Sequence, residues 1–289
     1  MNTKINSIFS IYKKLAKHRL SLLVSFSAMV GYLVAPGRSI GELFCLFWGV
    51  YFLSAGASAL NQYQERNYDA RMERTRTRPI PSGELSANKA LFIALVLMVL
   101  GATLLGFNSP LASMLGLLNV VIYNFIYTPL KVKTLFSIFP GALVGAIPPM
   151  IGWVSAGAAL SNPGLLFIAL FMFFWQLPHF WLLLIKFGKE YEKAGFSSIS
   201  VFFTNRQIRH IVFFWAGVTS MFLFFFPLFG IQLPYFLAIL LILLNIYFIF
   251  RFFKLVYAKD EQHALRSAFI LINSYLMIAL IILVINSFL

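Results

Sequence analysis

The chain alternates long apolar runs with short polar connections, and that alternation settles its environment before any single residue is considered. A helix of about 20 mostly apolar residues crosses a bilayer, and in lipid the run must be helical because unpaired backbone donors and acceptors there are too costly. Nine such runs are present, near 20–36, 41–60, 88–107, 110–129, 135–155, 163–187, 209–230, 232–257 and 267–288. Hydrophobic residues make up 60% of the 289, more than a water-soluble core of that size hides, so the expected fold is an all-α polytopic membrane protein. Pro148-Pro149 lies inside the fifth run and predicts a kink or break, since neither residue donates a backbone hydrogen bond.

The net charge of +14 would suggest a nucleic-acid partner in a soluble protein. Here the cations sit between apolar runs, where they act as topology signals, and no nucleic-acid partner is expected. With nine spans, every Lys and Arg except Arg38 falls on one side. The positive-inside rule makes that side cytoplasmic, with the amino terminus inside and the carboxyl terminus outside. The chain then reads as one domain, 1–289, with cytoplasmic loops near 61–87 and 188–208. A single cysteine, Cys45, excludes a disulfide framework and any multi-cysteine metal site. The basic amino-terminal stretch lacks the short apolar region and cleavage site of a signal peptide. Without an organelle-targeting extension either, the expected location is a bacterial cytoplasmic membrane.

The most polar segment is NQYQERNYDARMERTRTRPIPSG, residues 61–83, with five arginines and three acids in a chain that is only 11% charged. Asn61, Glu65, Asp69 and Glu73 are spaced four apart, so on a continuous helix they share one wedge of about 120°. Pro79 and Pro81 are expected to end that helix. A row of oxygen ligands suits Mg²⁺, which is usually held by one or two carboxylates together with substrate phosphates. Arg66, Arg71, Arg74, Arg76 and Arg78 add guanidinium groups, the bidentate partners of phosphate oxygens. Together they fit a diphosphate site, in which metal and cations stabilise a departing pyrophosphate. The segment also reads as a solvated loop whose arginines enforce topology and pair locally with its acids. Topology needs the positive charge but not the acid row.

Four further stretches carry candidates, the first two on the same side and the others within the spans. YNFIYTPLKVKT places Tyr123, Tyr127 and Lys131 four apart if the helix continues past Pro129, and Lys131 then suits a phosphate; an interfacial Tyr and Lys belt is the plain alternative. KFGKEYEKAG offers Glu190 and Glu192 as a second acidic cluster able to hold metal from the opposite wall, or simply a Lys186–Glu190 helix pair. FFWQLPHFW sets Gln176 and His179 on one face inside the sixth run, where Pro178 frees a backbone carbonyl. Polar groups at membrane depth cost enough to face a cavity or an interhelical hydrogen bond. PGALVGAIPPMIGW is rich in small residues, which permit close helix packing or leave room for a flat ligand.

Together, NQYQERNYDARMERTRTRPIPSG, YTPLK, GAIPPMIGW, WQLPHFW and EYEKAG resemble, in order and spacing, the protohaem IX farnesyltransferase (haem O synthase) family of UbiA-type intramembrane prenyltransferases. The resemblance covers nearly the whole chain. Its most specific parts are Glu65 between Asn61 and Asp69, the Arg-Thr-x-x-Arg-Pro tail from Arg74 to Pro79, and Trp175 to Phe180. It implies nine helices around a central cavity capped by the two cytoplasmic loops. Asn61, Glu65 and Asp69 would bind Mg²⁺ and the diphosphate of farnesyl diphosphate, with Arg74, Arg78 and Lys131 neutralising its oxygens. Glu190 stands where the family's second acidic motif has Asp, so it is a further metal candidate. Tyr127, Trp175, Gln176, His179 and Tyr191 would face the substrates, His179 on the haem side as an iron ligand, a propionate contact or a proton carrier. Two departures stand out: Phe196-Ser197-Ser198 follows Gly195 where the family has Pro-Met, and the stretch after Lys131 lacks the usual basic and Asn residues.

The implied reaction is Mg²⁺-dependent transfer of farnesyl from farnesyl diphosphate to a vinyl group of haem B, giving haem O, with haem A synthase or terminal oxidase assembly as downstream partners. Two other functions fit the residues less fully. One is a prenyltransferase for a quinone-precursor or chlorophyll-type acceptor. The other is a small polytopic transporter whose cytoplasmic loops bind an anion; inverted halves would favour it, and no such symmetry is visible.

Overall fold

The computed structural model describes residues 10–36, 40–196, 202–256, 258 and 261–289. Among these residues all regular structure is helical. The long helices are α1 (His18–Val34), α2 (Leu43–Asp69), α3 (Ala87–Asn108), α4 (Pro110–Lys133), α5 (Ile138–Ser155), α6 (Pro163–Ala194), α7 (Asn205–Leu223), α8 (Tyr235–Val256) and α9 (Glu261–Asn286). All but α1 and α7 are long and apolar enough to cross a membrane, seven in total. α1 is a shorter apolar helix of 17 residues, and α7 opens on the polar run Asn205 to His210. Each lies where the sequence predicts an apolar run. Arg38, the lone cation assigned to the far side, lies outside the described residues.

Each helix packs on the next, α9 returns to α6 and α1, and α5 lies against α1, α4 and α6. Ser287 Oγ donates to the Leu33 carbonyl and joins the last helix to the first. Large apolar side chains such as Phe92, Phe107, Leu228 and Tyr235 point outward, as expected where lipid covers the surface. Without a hydrophobic force between helices in lipid, close backbone approach has to supply the packing, and small residues permit it. α1 and α5 show this most clearly. A Cβ on Gly152 would overlap the Ala28 carbonyl, and one on Gly31 would overlap that of Pro149. α5 also runs unbroken through Pro148 and Pro149, both buried, so the expected break is absent.

The functional helix ends differ from expectation in two places. α2 stops at Asp69, ten residues before Pro79. The Thr75 hydroxyl takes the Asp69 carbonyl at 2.9 Å, and Met72 tucks against Ala194 and Phe196, which turns the chain back. Glu73 therefore leaves the acid row. It is exposed and pairs only loosely with Arg76, at 3.9 Å. α6, by contrast, continues to Ala194 and is capped by Gly195 at φ 91°, a left-handed conformation glycine adopts without strain. Glu190, Tyr191 and Glu192 thus sit on helix, and the predicted loop at 188 starts later.

The close α1–α5 crossing yields a prediction. Gly152→Ala, facing a backbone carbonyl that cannot rotate away, is expected to cost about 1–3 kcal/mol. Gly106→Ala, with open space at its Cβ, is expected to be neutral or slightly stabilising. Thermal unfolding in detergent micelles, followed by circular dichroism, distinguishes the two.

Candidate active site

Asn61, Glu65 and Asp69 line one face of the last turns of α2 and are buried, with exposures of 2%, 3% and 2%. Buried polar groups of this kind need partners, and buried carboxylates need charge. Each receives a different cation from a different part of the chain. Lys17, just before α1, donates from Nζ to Asn61 Oδ1 at 3.0 Å. Lys131, near the end of α4, reaches both oxygens of Glu65, at 3.2 and 3.4 Å. Arg78, on the turn that folds back after α2, donates from Nη1 to Asp69 Oδ2 at 2.6 Å. The Asn61 amide donates to Thr128 Oγ1 at 3.1 Å, which orients it.

Lys17 was not singled out from the sequence, where it counted only as topology charge. Its backbone is left-handed, at φ 43° and ψ 50°, and it is the one non-glycine residue with positive φ among the described residues. Such a conformation costs energy and persists where surroundings impose it. Here it directs the ammonium to Asn61 and, at 3.3 Å, to the Tyr123 hydroxyl. Burial, then repulsion from Arg78, hold its pKa down to about 7, against the attraction of Glu65.

α4 reaches the site despite Pro129. Residues Ile122–Tyr127 form a wider π turn, and the Thr128 hydroxyl donates to the Tyr123 carbonyl at 2.9 Å, so the helix absorbs the missing donor. Tyr123 and Tyr127 stack at 5.7 Å with 15° between planes. Lys131 Nζ lies 4.6 Å from the Phe196 ring centroid and 5.1 Å from that of Tyr191. A cavity of about 70 Å³ opens beside it, lined by Tyr127, Lys131, Phe180, Tyr191 and Phe196 among others, which is room for a few waters. Phe196, noted in the sequence only as a departure, is therefore a wall of the site; Ser197 and Ser198 lie outside the described residues.

The remaining candidates divide. Arg74 is exposed and sits over the Phe187 ring, 4.6 Å from its centroid, on the α6 side of the acid row. Glu190 has one buried carboxylate oxygen without a hydrogen-bond partner and is not joined to the α2 acids. The Lys186–Glu190 ion pair is not formed among the described residues. Deeper in the bundle, Trp175 donates its indole N–H to the Ile272 carbonyl at 2.9 Å. Gln176 fills the space left by Gly145. His179 lies between Trp175 and Phe269, each with ring centroids at 4.9 Å, and its Nδ1 is buried without a partner. Rings connect the two levels: Tyr127 meets Phe180 at 6.1 Å and Phe180 meets His179 at 6.0 Å.

No cluster of three or more His, Cys, Asp or Glu side chains occurs among the described residues. What α2 presents is two carboxylates and an amide oxygen, a donor set that fits Mg²⁺ only when phosphate oxygens or water complete its shell. The cations already paired with those oxygens are of the sort that hold diphosphate. Metal and polyanion can therefore enter together by exchanging partners.

The fold defines a multi-pass helical membrane protein with a layer of paired opposite charges, the carboxylates buried and their cations partly so, at one end of its bundle. The chain matches the UbiA prenyltransferase family over residues 24–275 and belongs to that family. Its relatives include protoheme IX farnesyltransferases from Flavobacterium johnsoniae, 32% identical over 99% of this chain and 97% of the relative, and from Geobacter sulfurreducens, 35% identical over 76% and 82%. That from Christiangramia forsetii is 41% identical over 68% of this chain and 66% of its own length, so the chain spans just under two thirds of that relative. Two solved structures share the fold. A digeranylgeranylglyceryl phosphate synthase has a TM-score of 0.78 at 16% identity, covering 96% and 98% of the two chains. An Archaeoglobus fulgidus UbiA homologue bound to GPP and Mg²⁺ has a TM-score of 0.70 at 15% identity, covering 94% and 99%.

Breaking one buried pair should be costlier than removing both partners. Lys131→Met leaves Glu65 charged and alone, an expected loss of about 3 kcal/mol, while Glu65→Gln added to it restores most of that. Denaturant unfolding of the two variants in micelles checks this; equal losses would show the pair is not coupled.

Proposed function

We propose that this protein transfers the farnesyl group of farnesyl diphosphate to a vinyl group of haem B, releasing diphosphate and forming haem O. The observation that carries it is the convergence of three partly buried cations on the buried Asn61, Glu65 and Asp69 row, beside a series of aromatic rings that ends at His179. The protoheme IX farnesyltransferase relatives supply the acceptor, and the GPP- and Mg²⁺-bound homologue supports the donor class and the metal. In this assignment Asn61, Glu65 and Asp69 would hold Mg²⁺, whose charge would offset that of the diphosphate leaving group. Glu190 is a further ligand candidate from the opposite wall. The mouth of the bundle faces the cytoplasm of a bacterial membrane.

The chain's own groups do the remaining work. Lys17, Lys131 and Arg78 transfer their hydrogen bonds from the acid row to the diphosphate oxygens, so negative charge is met as the C–O bond lengthens. Arg74 completes this shell from the loop. The allylic carbon then carries positive charge, which the π faces of Tyr127 and Tyr191 stabilise without capturing it. The haem vinyl group adds through its terminal carbon, and the cation left on its inner carbon takes a water oxygen. That water passes one proton to the released diphosphate and becomes the hydroxyl of the hydroxyethylfarnesyl arm. Trp175, Gln176 and His179 position the porphyrin, and the apolar bundle keeps other water from the allylic cation.

Purified protein in bilayer discs, given haem B, farnesyl diphosphate and Mg²⁺, should yield haem O by mass analysis and none after chelation of the metal. Asp69→Asn should reduce turnover at least about a hundredfold, a loss of ~2.7 kcal/mol of transition-state stabilisation, while the protein stays folded. Undiminished turnover in that variant removes the metal assignment.

A further inference from the structure

A second cavity, of about 200 Å³, lies between α6 and α9 and is lined by Leu182, Lys186, Leu265, Arg266, Phe269 and Ile270. The diphosphate site uses none of these residues. Lys186 and Arg266 are exposed at its rim, and neither has a carboxylate partner among the described residues. Leu182 and Phe269 form its inner wall, and Phe269 is one of the two rings that enclose His179, at 4.9 Å. His179, Leu182 and Lys186 follow at i, i+3 and i+7 on one face of α6. The cavity is therefore one ring, Phe269, away from the buried histidine whose Nδ1 has no partner.

We infer that this groove receives the two propionate carboxylates of the porphyrin acceptor, one on Lys186 and one on Arg266, and so fixes which edge of the ring points into the bundle. The inference rests on the proposed haem acceptor and adds to it a specificity site on a different helix pair. Its chemistry is specific in three ways. Two cations stand over an apolar, aromatic floor, which suits an amphiphile with two anionic arms and a flat apolar body. Arg266 can grip a carboxylate through two N–H donors, while Lys186 supplies a point charge. And with the carboxylates held at the rim, the opposite, apolar edge of the porphyrin lies deepest, toward the aromatic passage from Tyr127. An anionic lipid headgroup offers similar charge at the rim but has no flat ring for the layer below.

The test compares haem B with its dimethyl ester in discs of neutral phosphatidylcholine, titrated by the change in Soret absorbance. The wild type should bind the dicarboxylate about tenfold more tightly than the ester, the scale of two partly exposed ion pairs. Lys186→Gln with Arg266→Gln should abolish that preference and raise the KM for haem, without changing the KM for farnesyl diphosphate. Lys186→Arg should retain the preference. A double variant that still prefers the dicarboxylate overturns the inference. So does haem affinity unchanged by the double substitution but reduced in the wild type by added phosphatidylglycerol, which marks a lipid site. A wild type that makes no haem O overturns the parent proposal instead, whereas product made with unaltered haem KM in the double variant overturns this inference alone.

Discussion

Two carboxylates buried at the end of a membrane helix have to be neutralised, and the local structure follows from that requirement. Glu65 and Asp69 lie where little water reaches them, so each takes a cation: Lys131 from α4 and Arg78 from the returning loop. Asn61 is drawn into the same layer by Lys17. Two segments distant in sequence, and the loop that follows α2, are thereby tied to the last turns of α2. A buried ion pair is weak evidence of stability, since apolar replacements often hold a fold as well. Its retention here makes sense as function: both halves of each pair can be lent to a ligand.

The two levels of the bundle divide the chemistry. Charge is concentrated at one mouth, and below it Tyr127, Phe180, His179 and Phe269 form an aromatic series with successive centroids 4.9–6.1 Å apart. In the proposed reaction an allylic cation survives only where water is scarce and π faces are near, and the bundle would supply that setting between the diphosphate and the acceptor. Rigid small-residue packing of α1 on α5 holds the floor of this arrangement in place.

Much of this was legible in the chain. Apolar run length located the helices, and a spacing of four put Asn61, Glu65 and Asp69 on one face. What escaped has physical causes. Glu73 shares the spacing, but the Thr75 hydroxyl captures the Asp69 carbonyl and ends α2 first, a competition between side chain and backbone that periodicity does not register. Pro129 looked like a terminator, yet a π turn absorbs it. Lys17 was indistinguishable from the other amino-terminal cations, because its left-handed backbone and its reach to Asn61 are tertiary facts. Glu190 sits on a helix that runs past the expected loop start at 188, without contact with the first acid row.

The partner-exchange account is tested most directly by Mn²⁺ binding, read by electron paramagnetic resonance, with and without the unreactive thiolodiphosphate analogue of farnesyl diphosphate. If the acids are released only when an anion takes their cations, the two ligands must favour each other reciprocally. The account predicts that the analogue tightens protein-bound Mn²⁺ by about tenfold or more, and that Glu65→Gln removes the effect. Mn²⁺ held equally well in both conditions, or coupling that persists without the Glu65 carboxylate, would contradict it.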